Sequence, residues 1–294
     1  MRVFAEQFSD IKLGQNKNFG NLSIIPIFGE LKFRRQDIKT FDTLSSLGLT
    51  EASEISESGS VNTIRVLNKS ESYLAIFDND IIIGAKQNRV SKSTVLIPPH
   101  EAINLPVYCV ERGRWSYDSN RSFRKSEQSL SPLIREKKMM MMKSGRTDSI
   151  QNEVWNDVDN LSYKLNAFSS TDSFTEVVGS RDYKDENLLL EFIQQTNALG
   201  YLVATGEKIF GELFYDEPTC RQQSLKSVKS WLADANDSEN VGCIMKGSIK
   251  EDLINAEWHH VKSIGVETTY EASGVKQGQS VLLQGSFVHG LLYV

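Results

Sequence analysis

Through the first third of the chain, short apolar runs or apolar–polar alternations stop at turn residues. "NLSIIPIFGE" is an apolar run closed by Gly29, and "TIRVLNKS" is a strand ending in turn formers. "YLAIFDNDIIIGA" predicts two strands about Asp78-Asn79-Asp80, a hairpin signal. "STVLIPP" and "AINLPVYCVE" predict another pair, joined at Pro98-Pro99-His100. "TFDTLSSLGL" reads as one short helix among them. Strands of this length and spacing predict a sandwich or a strongly bent sheet.

Strand alternation is lost from 121–146, which reads as a partly helical linker and a domain boundary. Beyond it the period changes. Ile150, Val154, Val158, Leu161 and Leu165 form a helical stripe, with Asp148 and Gln151 resembling a capping box. "NLLLEFIQQTNALG" predicts a second helix stopped by Gly200, and "YLVATGEKIFGELFY" a hairpin around Gly206. A third helix starts near Asp216 and Pro218 and buries Leu225, Val228, Trp231, Leu232 and Ala235. Ile254, Trp258 and Val261 mark another helix, and "VETTYEAS" and "SVLLQGSFVHGLLYV" finish the chain as strands. The expected class is α+β: a β-rich part at 1–120, a linker at 121–146, and a mixed helix and strand part at 147–294.

Composition narrows this only slightly. The 294 residues suffice for one large or two ordinary domains. Net charge is −5, which argues against a nucleic-acid partner. Positive charge is concentrated in 121–146, where eight Lys or Arg stand against two Glu, next to four consecutive methionines. Solvated linker and mobile arm over an anion are both open readings there. Cys109, Cys220 and Cys243 are too scattered for metal-site spacing, so free thiols and a cytoplasmic setting are expected. "MRVFAEQFSDIKLG" has no apolar run of signal-peptide length, and no segment approaches the ~18 apolar residues of a membrane span. No metal centre is expected. His259 and His260 are adjacent and would diverge on a helix, while His289 alternates with Phe287 and Leu291 as a packed residue.

One stretch carries candidate chemistry: "GAKQNRVSKSTVLIPPHEAINLPVYCVERGRWSY". Leu105, Val107, Cys109 and Glu111 share one strand face, so Glu111 falls at the rim of the core. A carboxylate there needs a partner. Lys86, Arg89, Arg112 and Arg114 are the nearest cations in sequence. Two readings follow. In one, these groups form a structural ion-pair network. In the other, they form a polar pocket in which Arg89 and Arg114 hold phosphates. Gln87 and Asn88 would then read hydroxyls or a base, Trp115 would stack, and Glu111 would transfer a proton. Cys109 lies in an apolar alternation and reads as a small core hydrophobe.

The same stretch resembles the signature of a prokaryotic family named for its association with ADP-ribosylglycohydrolases and rhodanese-phosphatases. The resemblance continues through "RTDSIQNEVWNDVDNLSYKLNAFSSTDSFTEV", "LGYLVATGEKIFGELFYDE" and "VLLQGSFVHGLLYV", so it covers most of the chain. It places Lys86, Gln87, Asn88, Arg89, Cys109, Glu111, Gly113, Arg114 and Trp115 in one motif. Arg146, Asp148, Gln151 and Trp155 fall in a second, here stretched by Ser149 and Ile150. It implies a link to ADP-ribose or NAD pathways by association. Expected partners are therefore a nucleotide-derived small molecule or a protein encoded alongside. It implies no particular cofactor and no catalytic assignment.

Overall fold

The computed structural model describes residues 7, 10–32, 37–117, 122–146, 149–206, 208–236, 257–272 and 277–293. The class is α+β, as expected. The chain clusters into two compact units, one of residues 1–36, 183–263 and 267–294, the other of 37–182 with 264–266. The stretch 121–146 falls inside the second unit.

That second unit is a two-sheet sandwich. A three-stranded sheet runs Val95–Ile97, Tyr73–Ile76, Ile38–Thr40, its last pair parallel. A six-stranded antiparallel sheet runs Phe123–Ser129, Asp80–Gly84, Arg89–Ser91, Ala102–Cys109, Thr63–Asn68, Thr50–Glu54. Leu74, Ile76, Val95 and Ile97 of the first sheet share a core with Ile64, Val66, Ile82, Leu105 and Val107 of the second. The short helix Phe41–Ser46 adds Phe41 and Leu44, and Thr40 caps it by accepting the Thr43 amide at 3.1 Å.

Two expected hairpins are corners instead. The strands on either side of Asp78-Asn79 belong to different sheets, and so do those flanking Pro98-Pro99-His100. Turn chemistry is right at both places, because a corner and a hairpin use the same turn formers. The difference lies in pairing. Asn68 fixes the second corner, its amide donating to the carbonyls of Ser72, Ile97 and Pro98 at 2.8, 3.1 and 2.9 Å.

Residues 122–146 of the expected linker include a strand and a helix. Phe123–Ser129 is a strand on Asp80–Gly84, and Pro132–Lys143 is a helix capped by Ser131. Helix Ile150–Leu165 buries Ile150, Val154, Val158, Leu161 and Leu165, the stripe seen in the sequence. Asp148 lies outside the described residues.

The first unit is built on a nine-stranded antiparallel sheet. Leu22–Phe28 pairs with Gly200–Thr205, which pairs in turn with Lys208–Phe214. Ser286–Tyr293, Gln277–Leu283, Thr268–Ala272 and Trp258–Val261 follow in that order. One face buries Ile25, Ile27, Leu202, Leu213, Phe287 and Leu292. Period two sends Tyr201 and Phe210 to the other face, where both rings meet Trp231 of helix Glu217–Asn236, at 6.2 and 6.3 Å. Leu225 is only half-buried on this helix, whereas Val228, Trp231, Leu232 and Ala235 are buried as expected. Helix Glu186–Gln195 ends at Thr196, and Gly200 opens the next strand rather than stopping the helix. Trp258–Val261 is a strand, not the expected helix, and Ile254 and Cys243 lie outside the described residues. His259 and His260 are exposed on that strand, and His289 is buried against Glu212 at 3.0 Å.

Candidate functional site

The sequence stretch singled out above folds so that its polar ends meet. Asp80–Gly84 turns into Arg89–Ser91, which pairs with Ala102–Cys109 so that Arg89 lies opposite Cys109. The turn uses unusual backbone: Gly84 has φ 115° and Ala85 φ 41°. A Cβ at Gly84 would stand 2.8 Å from the Ser122 carbonyl oxygen, so only glycine fits. Ala85 keeps its Cβ in the left-handed region at a cost of about 1–2 kcal/mol. Asn88 closes the turn by accepting the Gly84 amide at 3.1 Å.

Glu111 stands just beyond its strand, 3% exposed, bridged to Ser173. Its carboxylate accepts three hydrogen bonds. Arg114 donates Nε to Oε1 at 2.9 Å and Nη2 to Oε2 at 2.7 Å, and the Asn88 amide donates to Oε2 at 2.9 Å. Arg114 also donates Nη1 to the carbonyls of strained Ala85 at 2.6 Å and of Ser116 at 3.0 Å. One guanidinium thus ties the 84–88 turn to the 111–116 turn. Such forked arginine–carboxylate pairs are among the stronger polar contacts.

Arg89 is fully buried beneath this pair. Its Nη1 donates to Gln87 Oε1 at 3.2 Å and its Nη2 to the Ser60 carbonyl at 3.2 Å, with Glu54 at 3.6 Å. Its Nε is buried without a hydrogen-bond partner among the described residues. Burial pushes the Arg89 pKa down, opposed by Cys109, Glu54 and Glu111. An arginine starts so high that the charge stays. Burial pushes the Cys109 thiol up, and Arg89 opposes this. Cys109 is a hydrogen-bond donor here, at 2.8 Å from the Glu111 carbonyl and 3.1 Å from Gln87 Oε1.

Gln151 enters from helix Ile150–Leu165 as a substitute strand. Its Oε1 accepts the Cys109 amide at 2.8 Å and its Nε2 donates to the Cys109 carbonyl at 2.9 Å. Gln151 of the second sequence motif is therefore a clamp on the first. Trp155, one helical turn on, lies 5.6 Å beneath the exposed Arg112 guanidinium, which also pairs with Asp159 at 3.4 Å. Among the described residues the Arg112 side chain makes no hydrogen bond to Glu111, and only its carbonyl joins the network, accepting Gln87 Nε2 at 3.3 Å.

An aromatic and cationic rim surrounds the network. Trp115 is 45% exposed, with Lys86 Nζ 5.4 Å and the Arg89 guanidinium 5.7 Å from its ring. Lys86 also lies 5.1 Å from the Tyr117 ring and donates to the Ser58 carbonyl at 2.9 Å.

Sequence reasoning missed three members. Glu54 is buried and accepts the amides of Lys86 and Ser60 at 3.3 and 3.4 Å. Its signal was there, since it shares a strand face with buried Ala52. Ser173 reaches Asn88 at 3.2 Å and the Thr171 carbonyl takes the Gly113 amide at 2.8 Å. No pattern near Glu111 announces either residue.

A second buried polar centre lies in the same unit. Arg135 forks onto Asp78 at 3.1 and 2.8 Å. Lys138 is fully buried, donating to the carbonyls of Asp78 and Ser91, each at 3.1 Å. Burial pushes its pKa down to about 8, with Asp78 opposing and Arg135 adding to the fall.

Fold and site together define an α+β protein whose sandwich is closed by a buried arginine–carboxylate network under an aromatic rim. The chain matches the ARG and Rhodanese-Phosphatase-superfamily-associated Protein domain over residues 10–293, and it belongs to that family. No curated protein and no solved structure matches it. Among the described residues, no helix is long and apolar enough to cross a membrane.

Proposed function

We propose that this protein is a non-catalytic binding module, acting with a partner protein of the kind its family is associated with, in the cytoplasm. The polar motif is then an internal latch, and its exposed rim is the binding surface. The observation that carries this reading is the state of Glu111. Three donors occupy its carboxylate, two of them from one guanidinium. Proton transfer to a substrate would require that fork to open, and full burial of Arg89 likewise argues against a phosphate contact there. Two purified partners, an ADP-ribosylglycohydrolase and a rhodanese-phosphatase, provide the test by calorimetry. Trp115→Ala is expected to weaken binding at least tenfold while the fold survives. Equal binding by wild type and variant would overturn the assignment of the rim.

A second reading is favoured by the rim itself. Trp115 flanked by Lys86, with Tyr117 beyond, offers a stacking face and a cation to an ADP-ribose-like or NAD-related ligand. Lys86 would hold a phosphate and Trp115 a base, with Gln87, Asn88, Arg89, Arg112 and Arg114 as the supporting wall. A thermal-shift titration with ADP-ribose and NAD tests it, since a ligand of the native state must raise stability. No rise in melting temperature at millimolar ligand would eliminate this reading and leave the first intact.

A further inference from the structure

A cavity of about 230 Å³ lies in the first unit, far along the chain from the latch motif. Three segments form it: the Phe19–Asn21 turn, residues 183–185, and the last turn of helix Glu217–Asn236. Leu232, Ala235 and Phe19 supply an apolar wall. Asp185 supplies the charge, and its behaviour is unusual. It occupies the N-cap position of helix Glu186–Gln195, where aspartate ordinarily accepts a backbone amide of the first turn. Here the side chain makes no capping bond. Among the described residues the carboxylate has no hydrogen-bond or ion-pair partner. It lies instead over Gly20, where an added Cβ would stand 3.2 Å from Oδ2. Gly20 has φ 57°, so the turn places backbone, not side chain, beneath the carboxylate.

The rest of the wall favours the same sign of ligand. The last turn of helix Glu217–Asn236 presents the negative end of its dipole, and Asn236 adds an amide acceptor. The N-terminus of helix Glu186–Gln195 offsets part of this field, and Lys184 is exposed at the mouth. The volume falls below the ~300–1,000 Å³ of drug-sized pockets, which limits the ligand to a small molecule.

We propose that this cavity binds a small organic amine, its ammonium group on Asp185 and its apolar body against Leu232, Ala235 and Phe19. Three probes with one body and different heads separate the contributions: phenethylamine, 2-phenylethanol and phenylacetate. Protein-observed NMR on the full chain is the readout, with shifts expected at Asp185, Gly20 and Leu232. The amine is expected to bind about tenfold or more tightly than the alcohol, as a charge-assisted hydrogen bond predicts, and phenylacetate not at all. Asp185→Asn is expected to fold normally, because the side chain caps nothing, and to bind amine and alcohol alike. Gly20→Ala is expected to weaken the amine by crowding the carboxylate. The proposal is overturned if amine and alcohol bind equally to the wild type, if no probe shifts the cavity residues at several millimolar, or if Asp185→Asn keeps the preference. Adenosine binding with no preference for amines would overturn it as well.

Discussion

Glu111 and Lys138 show how burial sorts charged residues in this protein. Glu111 is compensated by a fork and a backbone amide, so its removal takes away the carboxylate partner of the Arg114 guanidinium and leaves it neutral acceptors such as the Ala85 and Ser116 carbonyls. Glu111→Gln is expected to cost roughly 3 kcal/mol in chemical denaturation, the lower end for a broken buried pair, because the Arg114 side chain keeps 16% exposure. Lys138 is compensated by two carbonyls, nearby Asp78 and the Tyr108 ring 6.0 Å away. Its folded pKa of about 8 lies below the ordinary 10.5. Between those values the unfolded chain holds a proton that the native protein has released. Stability contributed by this group therefore rises as pH rises from about 8 toward 10.5. Tyr108, pushed up to about 12 by burial, acts oppositely above its ordinary 10. Cys109 and Cys220, pushed up by burial from 9, also act oppositely above that value but are common to both proteins, so the measurement is the difference between wild type and Lys138→Met over the window pH 8 to 10. Wild-type stability is expected to gain on the variant as pH rises through that window, and a flat difference would refute the assignment.

At the scale of elements, the clamp of Gln151 on Cys109 joins helix Ile150–Leu165 to strand Ala102–Cys109. Gln151→Ala removes two hydrogen bonds and leaves a backbone amide and carbonyl without that partner, an expected loss of about 2 kcal/mol. Hydrogen exchange reads it locally: the Cys109 amide is expected to lose protection first. The helix itself was legible, because five apolar residues at helical spacing leave little choice. The role of Gln151 was not, because a glutamine on a helix surface looks alike whether it meets water or a strand. Phe123–Ser129 was obscured differently. Its buried positions are Phe123, Ser126 and Ser129, so no apolar alternation marks it. Pairing with Asp80–Gly84 makes it a strand.

For the whole molecule, the division into units predicts how the chain can be cut. The sandwich, its shared core and the complete latch lie within 37–182, while the nine-stranded sheet draws on both ends of the chain. A fragment spanning 37–182 is expected to unfold in a single thermal transition, with the Glu111→Gln penalty preserved. A fragment without cooperative unfolding would show that the sandwich depends on the rest of the chain. The reason the sequence hides this division is sheet partnership. Leu22–Phe28 reads as one more strand of the N-terminal β region, yet its partner is Gly200–Thr205.

The sequence alone determined the α+β class, the principal helical stripe and the Gly206 hairpin, because these rest on local period and turn chemistry. It also marked the polar motif, through charged residues standing where a strand leaves the core. The tertiary structure decided which strands pair, that two apparent hairpins are corners between sheets, and that Arg114 rather than Arg112 takes Glu111. Those outcomes depend on contacts between segments far apart in the chain, and on which groups lose water when the segments meet. No local pattern records either.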